Sequence, residues 1–365
     1  MRENFLLIAA GGTGGHMFPA HALSDLMLSR GWRVKLSTDQ RGMSFVGEFS
    51  PLVSIEVTNS AAFSGVRFSQ KLSTPFKIIS GTIATLQSFK KDRPDIVIGF
   101  GGYPTIPSLL AAKLLKIPIV LHEQNGVLGL VNKLFSKHVN AVASGTLSTR
   151  LPDGVKENFT GNPVRPAIVQ RAGSPYIPPG DYPMSIVVIG GSQGAKILSE
   201  IVPQSLGALP KNILRQMRVI HQAREQDKTA VLAAYELFNI PAVVKPFFVD
   251  IGNKIAEAQL IISRAGASSV ADISVIGRPS ILVPFAAAIN DHQTVNAASS
   301  AELGASIVIS EGELTVSGLS EVVECILSDS ILAKKMAEAA LKVGNPDSSD
   351  KLMKLVEGVT EECQI

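Results

Sequence analysis

Seven clusters of glycine and polar residues hold the side chains that could do chemistry in this chain of 365 residues. They lie at residues 11–16, 99–103, 122–125, 161–165, 190–195, 263–268 and 290–293. The clusters at 11–16 and 190–195 are glycine-rich turns that follow apolar runs. A glycine-rich turn between a strand and a helix exposes backbone N–H groups at the positive end of the helix dipole. Each turn is therefore suited to bind phosphate or to stabilise developing negative charge.

The spacing of these glycines does not match the common nucleotide-binding motifs. The dinucleotide fingerprint requires Gly-x-Gly-x-x-Gly or Ala. Met17 stands at the closing position of the first turn, and Gly190 and Gly191 are adjacent in the second. Neither turn ends in the Gly-Lys-Ser/Thr of a P-loop. The pattern disfavours nicotinamide and flavin enzymes and P-loop proteins.

Apolar runs alternate with helical patterns through both halves of the sequence. In the first half, strands are predicted at 5–10, 33–38, 95–99 and 117–121, and helices at about 17–29 and 105–115. In the second half, strands are predicted at 185–189, 218–222, 242–245, 260–263, 280–284 and 306–310. Helices are predicted at 226–238, 314–328, 331–342 and 347–360, and two more are expected to begin at about residues 196 and 268. This alternation predicts an α/β protein with two doubly wound Rossmann-like domains facing a cleft. Because such sheets bind ligands at the carboxyl ends of their strands, we expect the seven clusters there.

Seven of the 21 prolines fall between residues 151 and 183, where apolar runs are few. The interdomain linker is predicted in this segment. We expect a first domain over residues 1–160 and a second over 165–344. The last helix, at about 345–365, is expected to pack back on the first domain.

Composition predicts a folded cytoplasmic protein. Hydrophobic residues make up 45% and charged residues 18% of the chain, enough for a sizeable core. Cys325 and Cys363 lack the spacing of a zinc site or disulfide framework, which favours a reducing compartment. The apolar run at 5–10 is too short for an export signal, and prolines and lysines interrupt the stretch 106–121, so no membrane-spanning segment is predicted.

Basic residues are concentrated in the first half of the chain. Residues 1–163 hold 17 Lys and Arg against 10 Asp and Glu, whereas residues 164–365 hold 17 against 21. Between residues 67 and 137 the basic side chains are interleaved with apolar ones. Such a face can lie on anionic lipid, where each basic residue near the membrane surface contributes about 1 kcal/mol of binding free energy. Solvated lysines around a core helix explain the same pattern equally well. Nucleic acid is disfavoured, because aromatic residues make up only 5% and no basic run reaches five residues.

Together the clusters resemble the MurG family of bacterial glycosyltransferases over essentially the whole chain. The three glycine-rich loops of the family correspond to residues 11–16, 101–107 and 190–195. Further matches are His122-Glu-Gln-Asn125, Gly161-Asn-Pro-Val-Arg165, Arg264-x-Gly-Ala267 and Asp291-His-Gln-Thr-x-Asn-Ala297. The resemblance implies the B-type glycosyltransferase fold. It also implies transfer of N-acetylglucosamine from its UDP donor to undecaprenyl-pyrophosphoryl-N-acetylmuramyl-pentapeptide, a step of peptidoglycan synthesis.

The resemblance also implies which residues bind the substrates. UDP-N-acetylglucosamine would bind mainly to the second domain, and the lipid-linked acceptor would approach the first. The implied donor-binding residues are Thr13, Gly14, Gly15, Asn125, Arg165, Ser192, Phe248, Arg264, Gly266, Ala267, Ser268, Ser269, Asp272 and Gln293. At the ribose-binding position the family has a glutamate, whereas this chain has the shorter Asp272. The acidic pair that usually precedes His292 is changed to Asn290 and Asp291.

The implied reaction is attack by the muramyl C4 hydroxyl on the anomeric carbon of the donor, with inversion and loss of UDP. The Asp-x-Asp motif of metal-dependent glycosyltransferases does not occur in the sequence, so we predict no catalytic metal and no cofactor. Helix N-termini, backbone N–H groups, Arg165 and Ser192 would then compensate the charge of the leaving group. Alternatively, Arg165 forms an interdomain salt bridge and Ser192 is a helix N-cap.

His16 is the leading candidate for the general base. At a helix start the positive dipole end favours the neutral imidazole that a base requires. Alternatively, His16 only hydrogen-bonds the acceptor or caps its loop. Glu123 is the competing carboxylate, and it could equally anchor its own loop. Tyr103 and Gln293 are expected to position sugars.

Three other functions fit the residues less closely. These are a UDP-N-acetylglucosamine 2-epimerase, a glycosyltransferase for another lipid, and a non-catalytic UDP-sugar-binding scaffold. The expected location is peripheral, on the cytoplasmic face of the membrane. Other proteins of cell-wall synthesis are candidate partners.

Overall fold

The computed structural model describes residues 3–58, 74–147, 149–191 and 194–364. The chain forms two compact units. The first comprises residues 1–165 together with 347–365, and the second comprises residues 166–346. The basic segment from residue 67 to 73 lies outside the described residues, as does Ser192.

The first unit is built on a parallel sheet of seven described strands. These are β1 (Phe5–Ala9), β2 (Arg33–Thr38), β3 (Ser54–Val57), β4 (Ile96–Gly99), β5 (Ile119–Glu123), β6 (Ala141–Ser144) and β7 (Glu157–Phe159). Their order is β3-β2-β1-β4-β5-β6-β7. The connecting helices are α1 (Gly14–Ser29), α2 (Thr74–Lys91), α3 (Ile106–Leu114) and α4 (Leu130–Phe135). The order changes direction between β1 and β4, and doubly wound sheets bind ligands beside such a switch point.

The second unit has a parallel sheet of six described strands. These are β8 (Met184–Ile189), β9 (Met217–Gln222), β10 (Ala242–Lys245), β11 (Leu260–Ser263), β12 (Ser280–Leu282) and β13 (Ser306–Val308), in the order β10-β9-β8-β11-β12-β13. Its helices are α5 (Pro166–Val169), α6 (Lys196–Gly207), α7 (Lys211–Leu214), α8 (Lys228–Leu237), α9 (Ile251–Ala256), α10 (Ala267–Ile276), α11 (His292–Glu302), α12 (Val316–Ser328) and α13 (Ser330–Val343). The switch point lies between β8 and β11, whose following loops carry predicted site residues.

The last helix, α14 (Ser348–Gln364), returns to the first unit. It packs against α1, and its side chains Leu352, Met353 and Val356 are fully buried in the same core as Leu23 and Met27. The first unit is thus assembled from two stretches that are distant in the sequence. None of the described helices is both long and apolar enough to cross a membrane.

Arg278 is a buried cation of the second unit, just before β12. Its side chain is 1% exposed, and its guanidinium donates hydrogen bonds to the carbonyls of Ser174, Pro175, Ala256, Ile276 and Gly277. Burial lowers the pKa of Arg278 to about 10, although its interaction with Tyr176 raises it. Through these bonds Arg278 connects the segment before β8 to the C-terminal ends of α9 and α10.

The predicted fold class is confirmed, with two doubly wound parallel sheets. The prediction was wrong at three strands that it omitted, β3, β6 and β7, and at α1, which begins at Gly14 rather than at about residue 17. The segment 151–183, predicted as a linker, contains β7 and α5.

Candidate active site

His16 lies at the start of α1, in the first glycine-rich loop. Thr13 is the N-cap of this helix and has extended backbone angles. The Nδ1 atom of His16 is 2.8 Å from the carbonyl oxygen of Gly11 and 3.3 Å from Oγ1 of Thr13. Because a carbonyl can only accept, Nδ1 must carry the proton of the neutral ring. The basic lone pair is therefore on Nε2.

The Nε2 atom of His16 faces the second glycine-rich loop. Gly101 has a φ of +94°, and a Cβ atom at this position would lie 3.4 Å from Nε2 of His16 and 3.3 Å from Nδ2 of Asn132. Any side chain here would be strained and would crowd both groups. Glycine thus keeps open the space beside Nε2. Tyr103 follows in a short 3-10 turn, Tyr103–Thr105, and is half-buried.

Glu123 ends β5 and is 2% exposed. One carboxylate oxygen accepts hydrogen bonds from the amide and the side chain of Asn125, at 3.1 and 3.0 Å. The other accepts from the amide of Gly129, at 2.8 Å, and from Nδ2 of Asn132, at 2.9 Å. Four donors surround the carboxylate, three from the loop that follows β5 and one from Asn132 in α4. This arrangement favours the anchoring role over the alternative of a general base.

Several buried polar atoms near the ends of β5 and β7 lack a hydrogen-bond partner among the described residues. They are Nδ1 of His122, Oε1 of Gln124, Oδ1 of Asn132 and both amide atoms of Asn162. Buried polar groups in proteins are normally satisfied by protein or by ordered water. These atoms therefore suit a polar ligand or water molecules at this edge of the sheet. Burial lowers the pKa of His122 to about 4, despite a hydrogen bond with the carbonyl of Gly161, so the ring is neutral.

Arg165 lies over an aromatic ring of α1. Its guanidinium carbon is 4.4 Å from the ring centre of Phe18, which packs edge-on against Phe45. Such cation–π contacts fix a guanidinium without neutralising its charge. The ring that Arg165 contacts belongs to a residue two positions after His16 in α1.

The second unit carries the predicted donor residues in the loops that follow its strands. The third glycine-rich loop connects β8 to α6, but Ser192 lies outside its described residues. Phe248 lies between β10 and α9 and is 6% exposed. Its neighbours Phe247 and Val249 are exposed.

The turn after β11 leads into α10, whose N-cap is Gly266. Ala267, Ser268 and Ser269 form the first helical turn, and the hydroxyl of Ser268 is buried without a partner among the described residues. The helix N-terminus presents backbone N–H groups, which suit an anionic or hydroxyl-rich ligand. Asp272 lies further along α10 and is 8% exposed.

Arg264 connects the loop after β11 to the segments that follow β12 and β13. Its side chain is almost fully buried, with 6% of the residue exposed, whereas its carboxylate partner is partly exposed. Its Nη1 atom donates to the carbonyls of Val283 and Pro284, both at 3.2 Å, and to Oε2 of Glu311, at 2.9 Å. The same Glu311 oxygen accepts from the amide of Ala286, at 2.9 Å. Burial would raise the pKa of Glu311, but the hydrogen bonds from Arg264 and Ala286 lower it overall.

Gln293 lies in the first turn of α11, and its Oε1 atom accepts from the amide of Phe285, at 3.0 Å. The two residues before the helix, Asn290 and Asp291, both have left-handed backbone angles, with φ of 55° and 51°. Consecutive non-glycine residues in this region are uncommon and strained, and such strain clusters at functional sites. This pair immediately precedes α11, which begins at His292.

In the first unit the structure brings together Thr13, Gly14, Gly15 and His16 at the start of α1, and it places Glu123 and Asn125 in one hydrogen-bonded loop. Sequence reasoning did not single out Asn132 or Glu311. Asn132 and Glu311 lie outside the matched motifs. Asn132 contacts Glu123 and Glu311 contacts Arg264, and in each case the partners are distant in the sequence. Among the described residues, no cluster of three or more His, Cys, Asp or Glu side chains could hold a metal ion.

Comparison with known proteins identifies the family. The N-terminal domain model of glycosyltransferase family 28 matches residues 6–144, and the C-terminal domain model matches residues 185–352. A UDP-N-acetylglucosamine–N-acetylmuramyl-(pentapeptide) pyrophosphoryl-undecaprenol N-acetylglucosamine transferase of Rhizobium meliloti is 42% identical, with 98% of this chain and 96% of that protein covered. The protein of the same name from Brucella canis is 39% identical, with 98% and 94% covered.

Solved structures agree with this result. The crystal structure of Acinetobacter baumannii MurG matches with a TM-score of 0.78 and 29% identity, covering 98% of this chain and all of that one. A putative UDP-N-acetylglucosamine 2-epimerase from Listeria monocytogenes matches with a TM-score of 0.70 but only 13% identity, which shows a shared fold alone. The chain belongs to the MurG family of B-type-fold glycosyltransferases.

Proposed function

We propose that this chain transfers N-acetylglucosamine from UDP-N-acetylglucosamine to the C4 hydroxyl of undecaprenyl-pyrophosphoryl-N-acetylmuramyl-pentapeptide, a step of peptidoglycan synthesis. The observation that carries the proposal is the orientation of His16. Its Nδ1–H is held by the carbonyl of Gly11, and its Nε2 faces the space kept open at Gly101. The relatives at 39–42% identity carry the name of this transferase.

In the proposed reaction, Nε2 of His16 takes the proton of the muramyl C4 hydroxyl. The oxygen forms a bond to the anomeric carbon from the face opposite the diphosphate, and the bond from this carbon to the diphosphate oxygen breaks. UDP leaves with the electron pair, and the product is β-linked. Inversion follows from the single displacement. His16 then returns its proton to solvent.

The other predicted residues serve in binding and positioning. In the first unit, Glu123 holds the loop that carries Asn125, and Tyr103 positions the acceptor sugar. The unpartnered polar atoms of Asn132 and Asn162 suit the hydroxyl and amide groups of the muramyl peptide. We assign the first unit to the acceptor, apart from Thr13, Gly14, Gly15, Asn125 and Arg165, which we propose contact the donor.

In the second unit, residues 266–269 and Gln293 bind the donor, together with Ser192, Phe248 and Asp272. The buried Ser268 hydroxyl supports this assignment, because it lacks a protein partner among the described residues. Arg264 acts as a positioning residue beneath these loops. Arg165 and the helix N-termini stabilise the charge of the departing diphosphate. We propose that this chemistry needs no metal and no cofactor.

We further propose that the protein rests on the anionic cytoplasmic face of the membrane. On α2, Phe76, Ile79 and Ile83 recur at helical spacing and are 75, 56 and 51% exposed. Leu114, at the end of the neighbouring α3, is 65% exposed. An apolar stripe with nearby lysines is typical of a surface that lies on lipid. Other cell-wall synthesis proteins are proposed partners.

Co-sedimentation with vesicles tests the membrane proposal. The double variant Phe76→Ser and Ile79→Ser should lose binding to vesicles that contain anionic phospholipid. A matched control, Leu237→Ser, changes a leucine that is 77% exposed in the second unit and should bind as the wild type does. Equal binding by all three proteins would contradict the assignment of this face.

Transfer of radiolabelled N-acetylglucosamine to a lipid-linked muramyl-pentapeptide tests the catalytic proposal. The assay is run in EDTA with the wild type, His16→Ala and the control His138→Ala, which alters an exposed histidine. Loss of a general base lowers kcat by about 10²–10⁴-fold. We expect this loss only for His16→Ala, with UDP affinity retained. Absence of transfer by a wild type that still binds the donor would refute the proposed acceptor.

A further inference from the structure

A cavity of about 410 Å³ lies in the first unit, at the edge of the sheet opposite to the candidate active site. It is lined by the segments that precede β4, β5 and β6 and by the last turns of α14. Ile119, the first residue of β5, lies in its wall, whereas Glu123 ends the same strand. At about 3.3 Å per residue, this strand separates the two places by roughly 13 Å. The cavity is therefore distinct from the site that contains His16 and Glu123.

Positive charge predominates in the wall of this cavity. Arg93, Lys113 and Lys116 line it, and Asp95 is the one carboxylate among its described lining residues. One oxygen of Asp95 already accepts a hydrogen bond from the amide of Phe5, at 2.8 Å. Neither Lys113 nor Lys116 forms an ion pair with any residue that the structure describes. Because a cleft lined by charges of one sign attracts ions of the other, the cavity is suited to an anion.

The competing interpretation is that these lysines only satisfy the end of a helix. Both Lys113 and Lys116 lie at the C-terminus of α3, where basic side chains often donate hydrogen bonds to the last carbonyls. In this protein the backbone fills that role. The amides of Lys116 and Ile117 donate to the carbonyls of Lys113 and Ala112, at 3.2 and 2.9 Å. The two ammonium groups are therefore not required to cap α3.

The backbone of Lys116 is a second indication. Its φ is +53°, in the left-handed region that glycine usually occupies at the end of a helix. A lysine at this position is strained relative to glycine, yet it adds a cation to the wall of the cavity. Arg93 is held near it, because its Nη2 atom donates to the carbonyl of Leu115, at 2.9 Å. Strain of this kind is typical of positions that contact ligands.

From these observations we infer that the cavity binds a free, multiply charged phosphate anion such as diphosphate. Three Arg and Lys cations and one carboxylate leave an excess of two positive charges, which a monovalent anion does not balance. Guanidinium and ammonium groups both donate charge-assisted hydrogen bonds to phosphate oxygens, and the volume is that of a small-molecule site. Phospholipid headgroups offer the same chemistry, so the experiment compares both sources. The inference does not depend on the proposed transfer reaction.

Cys363 provides a local readout of binding, because it is exposed and lies in the wall of the cavity. Cys325, on α12 of the second unit, is also exposed and serves as the internal control. The full chain is alkylated with iodoacetamide, an uncharged reagent, in sodium diphosphate or sodium acetate at equal ionic strength. Mass spectrometry then gives the rate at each thiol. At a diphosphate concentration about ten times its Kd, we expect alkylation of Cys363 to slow about tenfold, with no change at Cys325.

Substitution of the lysines links this protection to the charged wall. The double variant Lys113→Gln and Lys116→Gln should raise the half-protecting concentration of diphosphate about tenfold, at the lower end of the value of a charge-assisted bond. The control Lys334→Gln and Lys335→Gln removes two exposed lysines from α13 of the second unit and should leave it unchanged.

Three results would overturn the inference. One is the absence of saturable protection by diphosphate, and another is equal protection by acetate or at Cys325. The third is protection by phosphatidylglycerol vesicles without protection by diphosphate, which would assign the cavity to lipid headgroups.

Discussion

His122 should make the first unit sensitive to acid. Its ring is fully buried at the end of β5, and one nitrogen contacts the carbonyl of Gly161 while the other has no partner among the described residues. Burial lowers the pKa of His122 from 6.5 to about 4. The unfolded chain therefore binds a proton below pH 6.5 that the folded protein does not bind until about pH 4.

The sign and size of the effect follow from these two values. The stability due to the neutral His122 is complete above pH 6.5 and is lost as the pH falls towards 4. Linkage gives a loss of about 2 kcal/mol at pH 5 and about 3 kcal/mol once the folded ring is also protonated. Very little of this loss has occurred at pH 7.

Urea unfolding followed by tryptophan fluorescence can isolate this contribution. Trp32 is the single tryptophan of the chain and is buried in the core of the first unit, so it reports on that unit. In His122→Gln the side-chain amide can still donate to Gly161, but it does not titrate. Between pH 7 and pH 5, we expect the free energy of unfolding of the wild type to fall by about 2 kcal/mol more than that of the variant.

His138→Gln is the matched control, because it removes an exposed imidazole from the same unit. Its loss of stability between pH 7 and pH 5 should equal that of the wild type. If His122→Gln also loses as much as the wild type over this range, burial does not keep His122 neutral and the reasoning fails.

Two further substitutions test interactions that we expect to stabilise each unit. Arg264→Gln should lower the free energy of unfolding of the second unit by about 2 kcal/mol, because it removes the charge-assisted hydrogen bond to the partly exposed Glu311 and the bonds to the carbonyls of Val283 and Pro284. Hydrogen exchange at the Ala286 amide should accelerate, and unchanged protection there would contradict the supporting role. Leu352→Ala should lower the free energy of unfolding of the first unit by about 3 kcal/mol, which moves the urea midpoint of tryptophan fluorescence to a lower concentration. The control Ile331→Ala changes an exposed side chain and should alter this free energy by less than about 0.5 kcal/mol. A wild-type midpoint in Leu352→Ala would show that the last helix does not contribute to that core.

The sequence predicted the strands that are buried on both faces, because these read as continuous apolar runs. Both β1 and β8 were predicted to within one residue. The omitted β7 is a three-residue edge strand of Glu, Asn and Phe with no buried face, so it leaves no such signal. The start of α1 was missed because Gly14 and Gly15 are poor helix formers, and the loop rather than intrinsic propensity begins the helix there.

The site was predictable where a motif occupies one turn, as in residues 11–16. It was less predictable where a contact crosses a loop. The donors to Glu123 come from residues as far away as Asn132, and no local spacing reveals that they surround one carboxylate.

The return of α14 to the first unit has a consequence for synthesis on the ribosome. The residues of α1 leave the ribosome early, but Leu352, Met353 and Val356, which cover them, are made only after the 181 residues from 166 to 346. At about 5–20 residues per second, this delay is roughly 10–40 s. During that time the nascent first unit exposes an apolar surface while the second unit can already fold. The second unit is therefore expected to be protease-resistant on the ribosome before the first, in reverse of their order along the chain.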